Sequence, residues 1–488
     1  MAKNNEQKII FLIVALGLIT VGTFLLKNAV TKAFNNSNNT NTSNLNKNEL
    51  VPEVENQLVD KISTGEKFVI DLNPSNSKQS GAQAYARKNY EEAISQWSES
   101  LKEEQNDPET LIYQNNARIG KQQAHSIAVP VPVEAEVNVA KEMLRGTAQA
   151  QYEINQNGGI NNKPIKIIIA NDRNNPKTAK ELALNFSQDD SILGVVGHFS
   201  SNVTLEAAQI YETQGLVMVS PTSSSVALSN VGSYVFRTVS SDCFTGNALV
   251  EYLTNNLKVK QAALLYNSAS SYSASMRDVF QSSLEAKGGE IVAEFNFNEP
   301  NFSIADTFNK IKEKKAKALV LFPNSSGMNT LETLDKTLLI TQMNQGELPL
   351  LGSDSLHKPR TLQLGRASIE NMVLAVPWQI RNSNVAFSKT AKKLWGYDVN
   401  WRTILTYDAT MAIATAIKVS PSREGIKQAL LDPDFSADGA SGKIKFLPTG
   451  DRAAEVDLVK VVAGNNSGFG YDFIPVSDAK HASGTVCK

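Results

Sequence analysis

The sequence predicts an α/β protein built from two doubly wound, Rossmann-like lobes with a hinge and a cleft between them. Three observations carry this. Between residues 126 and 476 short β-rich apolar runs alternate with amphipathic helical runs, the pattern of βαβ units and parallel sheets. About ten such runs occur, too many for one small sheet. The 488 residues also exceed what one core usually holds, so two or three compact units are expected.

Composition narrows the function. Lys plus Arg is 48 and Asp plus Glu is 49, so no global field draws the chain to nucleic acid. Hydrophobic residues are 41% and charged residues 20%, ordinary globular values. Two cysteines, Cys243 and Cys487, exclude a disulfide-stapled scaffold and multi-Cys metal sites. They are expected to remain unlinked, because Cys487 sits in a polar tail, residues 477–488. His125, His198, His357 and His481 show no ligand spacing, and no cofactor motif is evident.

Along the chain, residues 9–26 form an apolar run flanked by Lys3, Lys8, Lys27 and Lys32. As a helix it would rise roughly 27 Å, near the thickness of a hydrocarbon core. An uncleaved transmembrane anchor is expected, with a cleaved signal peptide as the alternative. Residues 33–50 hold eight Asn in eighteen positions and read as a flexible tether. A helical segment at 78–122 follows. Tyr85, Tyr90, Ile94, Trp97 and Leu101 make its apolar stripe, while Gly81, Ala84 and Ala93 allow close helix approach. The Gly81, Tyr90, Ala93 spacing with Pro108 beyond it resembles a tetratricopeptide repeat. One repeat cannot bury its own face, so the segment is expected either to pack on the main body or to dock a partner.

The body at 126–476 has candidate strands at 127–133, 165–171, 193–199, 216–220, 234–239, 262–266, 291–297, 318–322, 348–352 and 372–376. Helical runs separate most of them, for instance 177–186 and 276–288. Lobe 1 is expected at about 126–240 and 379–450, and lobe 2 at about 241–378 and 451–476.

Function is sought where the strands end. One run leads through His198 and Phe199 to Ser200, Ser201 and the start of a helix. Free amides, a positive dipole end and hydroxyls make an anion site there. A second run leads to Thr222, Ser223 and Ser224, a third to Asn324 and Ser325, and a fourth to Asp354. Each piece alone has an ordinary reading as a helix cap or a solvated turn. Amides and hydroxyls on one side and a carboxylate on the other suit a zwitterion such as an α-amino acid. No nucleophile–base pair, P-loop or paired catalytic carboxylates stand out, so catalysis is not expected.

These residues carry a resemblance. The stretches 154–172, 195–229 (VVGHFSSNVTLEAAQIYETQGLVMVSPTSSSVALS), 234–242 and 348–355 (LPLLGSDS) resemble the type I periplasmic solute-binding proteins of the leucine/isoleucine/valine-binding group. The likeness covers about seventy percent of the chain. It implies that Ser201, with Ser224 and the Thr222 backbone, holds a ligand carboxylate, that Asp354 takes the ammonium, and that Tyr272 closes over the ligand. It also implies delivery to ABC permease subunits, with the body outside the cytoplasm. A membrane-tethered sensor using the same chemistry, with the helical segment as docking module, is the alternative. Some residues depart from the group. The loop after the first strand, VEAEVNVAKEM, lacks Gly; Pro323, Asn324 and Ser325 stand where branched-chain binders place a Tyr; and the acid is Asp rather than Glu. The departures bear on ligand identity rather than on fold.

Overall fold

The computed structural model describes residues 58, 60–70, 73–324, 330–379, 385–396, 399–453 and 456–476. The expected anchor at 9–26, the tether at 33–50 and the tail at 477–488 lie outside the described residues. Among the described residues no helix is long and apolar enough to cross a membrane.

The chain opens with a two-residue strand, β1 (Ile62–Ser63), and three helices, α1 (Asn76–Ala86), α2 (Tyr90–Glu103) and α3 (Pro108–Ile119). Each helix starts at a side-chain cap: Ser75, Asn89 and Asp107. α1 and α2 pack so closely that a Cβ on Gly81 would sit 2.4 Å from Trp97 Nε1. Trp97 is fully buried against Tyr85 and Tyr113. Lys78 is buried as well; its ammonium lies 2.7 Å from Asp107 and 3.2 Å from Glu109. Pairing with two carboxylates is what makes such burial tolerable.

β2 (His125–Val131) leads into α4 (Val133–Gln156), kinked at Glu136. Then follow β3 (Ile165–Asn171), α5 (Pro176–Gln188), β4 (Ile192–Val196), α6 (Ser201–Gln214), β5 (Met218–Ser220) and β6 (Val235–Arg237). The first sheet has the order β1-β3-β2-β4-β5-β6, parallel except for β1. The three N-terminal helices share a buried core with this lobe, in which Trp97 and Tyr113 join Met143, Ile167 and Ile169. Asn116 completes the join. Its amide donates to Ile167 O at 2.8 Å and its carbonyl accepts from Ile167 N at 3.1 Å, covering backbone that β1 is too short to reach.

The second lobe begins with α7 (Asp242–Glu251), β7 (Gln261–Tyr266), α8 (Ser271–Ala286), β8 (Glu290–Asn296) and α9 (Ile304–Glu313). It continues with β9 (Leu319–Phe322), α10 (Thr330–Asn344), β10 (Leu350–Ser353), α11 (Pro359–Gly365) and β11 (Val373–Val376). The chain then returns to lobe 1 as α12 (Val385–Trp395), α13 (Trp401–Val419) and α14 (Arg423–Leu431), with a hairpin of β12 (Ala437–Gly439) and β13 (Gly442–Ile444). α13 packs on α4 at Gly146, where a Cβ would meet Thr403 O at 2.2 Å. Finally β14 (Asp457–Ala463) and β15 (Tyr471–Pro475) close the second sheet, order β15-β14-β11-β10-β9-β7-β8. The five strands from β11 to the edge strand β8 are parallel, and β14 and β15 are antiparallel.

Three crossovers join the lobes, and they lie side by side. The Arg237 guanidinium bonds Asp451 Oδ1 at 2.7 and 2.6 Å and donates to Ser225 O at 2.6 Å, tying the first crossover to the third. Gln379 N on the second donates to Asp457 Oδ2 at 2.9 Å. A bundle of short adjacent crossovers is hinge architecture. One expectation needs correction here. Cys243 is disulfide-bonded, not unlinked; it lies in the first turn of α7 and is half-buried rather than sealed in the core. Cys487 lies outside the described residues.

Candidate functional site

Strand order reverses between β2 and β4 in the first sheet and between β7 and β9 in the second, and ligand sites of such sheets lie at the carboxyl ends beside these points. On the lobe 1 side α6 starts at Ser201. The cap residue Ser200 makes no side-chain cap bond; its hydroxyl goes to Asn174 instead. The first-turn amides of α6, which have no intrahelical partner, are thus left to an outside acceptor. Ser201 Oγ accepts from Ser225 N at 3.3 Å, which keeps its own proton free to donate.

The neighbouring hydroxyls divide into two sets. Thr222 Oγ1 donates to Phe199 O at 2.8 Å and Ser223 Oγ to the same carbonyl at 3.0 Å; Ser223 also meets Thr204 at 2.5 Å. Together with Ser220, which donates to His198 O at 2.9 Å, these side chains hold the β4–α6 turn in place. Ser224 faces lobe 2 differently. Its carbonyl accepts from Asp242 N at 2.8 Å, and its hydroxyl stands near the Asp242 carboxylate. Beneath the turn, His198 lies between Asp172 Oδ2 at 2.7 Å and Tyr211 Oη at 3.1 Å, fully buried.

On the lobe 2 side Asp354 follows β10. The cap position of the short turn at Asp354–Leu356 is Ser353, and no side-chain cap bond forms, so the carboxylate of Asp354 does not serve as a helix cap. Tyr272 Oη lies 2.7 Å from Asp354 Oδ1 and 2.6 Å from Ser353 Oγ. Burial raises the Asp354 carboxyl above its ordinary value, opposed by the Tyr272 hydrogen bond and by Arg402 and Lys358. Burial likewise drives the Tyr272 hydroxyl well up. Asn324 is placed deeper in lobe 2, where its amide meets Asn267 at 3.0 Å and Thr330 at 3.0 Å. Tyr272 and Asp354 are in direct contact, and Ser201 and Ser224 lie on the facing lobe. Ser200, Thr222, Ser223 and Asn324 bond to other parts of their own lobes.

Sequence reasoning overlooked Asp242. It opens α7 at the first crossover and is 1% exposed; the Ser275 and Ser224 hydroxyls face its carboxylate, and no basic side chain hydrogen-bonds to it. Burial pushes its carboxyl up to about 7, opposed by the Ser275 and Ser224 hydroxyls and by Arg237, with Asp354 adding to the rise. Two mutually repelling, desolvated carboxylates favour a cation between them. The available signal was an Asp after a capping Ser, and capping explains an acidic first-turn residue equally well.

The lobes also touch directly at this edge. Asn202, one residue into α6, donates to Ala269 O at 3.1 Å and accepts from Ser271 N at 2.8 Å. Val226 N donates to Ser275 Oγ at 3.0 Å.

A periplasmic binding protein family model matches residues 127–466, more than two thirds of the chain. The chain belongs to that family. An "Amino acid binding protein" of Pseudomonas aeruginosa is 31% identical over 155 residues, 32% of this chain and 41% of that protein. The "Leu/Ile/Val-binding protein homolog 1" of Brucella suis is 24% identical over 58% of this chain and 75% of its own length. The "Leucine-specific-binding protein" of Salmonella typhimurium is 24% identical over 63% and 82%. The chain thus spans under half of the first relative and about three quarters or more of the other two. Among solved structures, an ABC transporter substrate-binding protein from Desulfitobacterium hafniense in complex with Leu superposes with a TM-score of 0.60 at 21% identity, covering 72% of this chain and 99% of that one. A solute-binding protein from Rhodopseudomonas palustris in complex with benzoate gives 0.61 at 17%, covering 74% and 98%. At such identities the superpositions speak for the fold: two lobes of mainly parallel sheet.

Proposed function

We propose that this chain is an extracytoplasmic solute-binding protein that captures an α-amino acid between its lobes and delivers it to the permease subunits of an ABC importer. The observation that carries the reading is the opposition across the lobe boundary. On one side stand the uncapped N-terminus of α6 and the Ser201 hydroxyl; on the other, Asp354 and Tyr272, with Asp242 at the crossover. A carboxylate suits the first and an ammonium the second. The names of the relatives, amino-acid and Leu/Ile/Val-binding proteins, support the same class of ligand. Ser201 and Ser224 would hold the carboxylate, Asp354 and Asp242 the ammonium, and Tyr272 would orient Asp354. Residues 9–26 would anchor the body on the outer face of the membrane, with 33–50 as its tether. The packing of the helical segment on lobe 1 favours a structural role for it within this transport reading.

A thermal-shift screen against the twenty amino acids, followed by calorimetry on any that respond, tests the reading. A ligand at a hundred times its dissociation constant stabilises the fold by about 2.7 kcal/mol. Absence of any shift at millimolar concentrations of all twenty would refute it.

A further inference from the structure

At the lobe boundary, next to the first crossover, a second set of polar groups is buried without partners. Arg402 and Trp401 open α13 and are 5% and 3% exposed. Arg402 Nε, Trp401 Nε1 and Glu142 Oε2 have no hydrogen-bond partner. The three belong together. The Arg402 guanidinium stacks over the Trp401 ring at 4.3 Å, and its Nη1 lies 3.6 Å from Glu142 Oε2, an ion-pair distance too long for a hydrogen bond. Trp401 packs on Val239 of the first crossover, with Trp378 of the second beside it. From lobe 1 the Arg402 charge acts on Asp354, His357 and Lys358 of lobe 2. Val239 lies three residues before Asp242, so the cluster sits at the crossover that Asp242 closes.

We propose that Trp401, Arg402 and Glu142 recognise a primary carboxamide, so that the ligand is an amino acid with an amide side chain, of the glutamine or asparagine kind. The inference rests on the amino-acid reading above. Two unpaired donors, Trp401 Nε1 and Arg402 Nε, call for an acceptor oxygen, and one unpaired acceptor, Glu142 Oε2, calls for a donor. A carboxamide supplies a carbonyl oxygen and an NH₂ in one planar group. Charge points the same way. Arg402 and Lys358 are faced by Glu136, Glu142 and Asp354, so carboxylates already outnumber the cations and a further carboxylate on the ligand side chain would add repulsion. An aliphatic side chain would leave all three groups unpaired, and sites built for hydrogen bonds reject such analogues strongly.

Calorimetry on the full chain with L-glutamine, L-asparagine, L-glutamate, L-methionine and L-leucine tests this. One of the two amides is expected to bind at least tenfold tighter than methionine, leucine and glutamate. Trp401→Phe keeps the ring and removes the N–H. It is expected to weaken the preferred amide five- to thirtyfold while changing methionine less than twofold. If that variant does not fold, Glu142→Gln replaces it, with an expected fivefold or greater loss for the amide alone. Leucine, methionine or glutamate binding as tightly as the amides overturns the inference and leaves the amino-acid reading standing. Equal losses for amide and methionine in the variants also overturn it, since they mark a purely structural role. If none of the twenty amino acids binds, both readings fail together.

Discussion

Asp354 and Asp242 are two ordinary carboxylates that the fold removes from water, and in the proposed function they form the ammonium site. Neither is neutralised at close range by a basic side chain within hydrogen-bonding distance: Asp354 has Tyr272, and Asp242 faces the Ser275 and Ser224 hydroxyls. Asp354→Asn is expected to keep the fold and to weaken amino-acid binding by about 2–5 kcal/mol, roughly thirty- to several-thousandfold, because the ligand ammonium would be buried without its main counter-charge. Calorimetry against the wild type measures it, and an unchanged affinity would place the ammonium elsewhere. On the proposed reading, Asp242 makes amino-acid binding pH-dependent. Burial pushes its carboxyl up to about 7 in the free protein. An ammonium favours the ionised form, so binding expels a proton below about pH 7. Affinity is expected to rise as pH rises toward 7 and to level off above it, by up to tenfold per unit. The group's unfolded value is near 3.9, so the ligand-free fold binds the extra proton between about 4 and 7 and loses stability from this group as pH rises through that window. Binding enthalpies in two buffers of different ionisation heat would reveal the proton, and equal enthalpies would count against it.

Single elements carry constraints that periodicity displays only in part. The strands of both sheets were legible as β-runs because parallel strands buried on both faces read as continuous apolar stretches. β1, β12 and β13 were not, being short and only partly buried, unlike the equally short but fully buried β5 and β6; β14 and β15 lie beyond the last apolar run singled out above. The α1–α2 pair was legible through Gly81 and Trp97. Gly81→Ala would push a Cβ into the indole and is expected to cost about 1–3 kcal/mol, read as a lower midpoint in urea unfolding; a neutral effect would mean that the two helices separate easily. α6 has a different task. Through Asn202 its first turn makes two bonds to lobe 2. Asn202→Ala is expected to cost about 1–2 kcal/mol of ligand affinity, chiefly as faster release in stopped-flow measurements, with little change in melting temperature of the free protein. A change in association rate alone would speak against a clasp.

At the scale of the whole molecule, the helical segment and lobe 1 form one core, and the anchor reading concerns the chain ahead of them. Residues 9–26 are expected to remain in the mature protein; the intact mass of membrane-extracted material decides this, a start beyond residue 27 excluding the anchor. The alternation of β-runs and helical runs determined the α/β class and the two lobes by itself, because burial on both faces of a parallel sheet and on one face of each helix writes its period into the chain. The polar ends of β4, β5 and β10 were visible for the same local reason: each follows directly on an apolar run. Which of those groups meet was decided only by tertiary structure. The Thr222 and Ser223 hydroxyls, read as part of a polar rim, bond to the Phe199 carbonyl, since a turn that folds back satisfies its own backbone first. Asp242 and Asp354 are 112 residues apart in sequence, and Glu142 and Arg402 are 260 apart. No local pattern links residues so distant. They come together because three crossovers run side by side at the hinge, and the electrostatics of the site arise from that meeting.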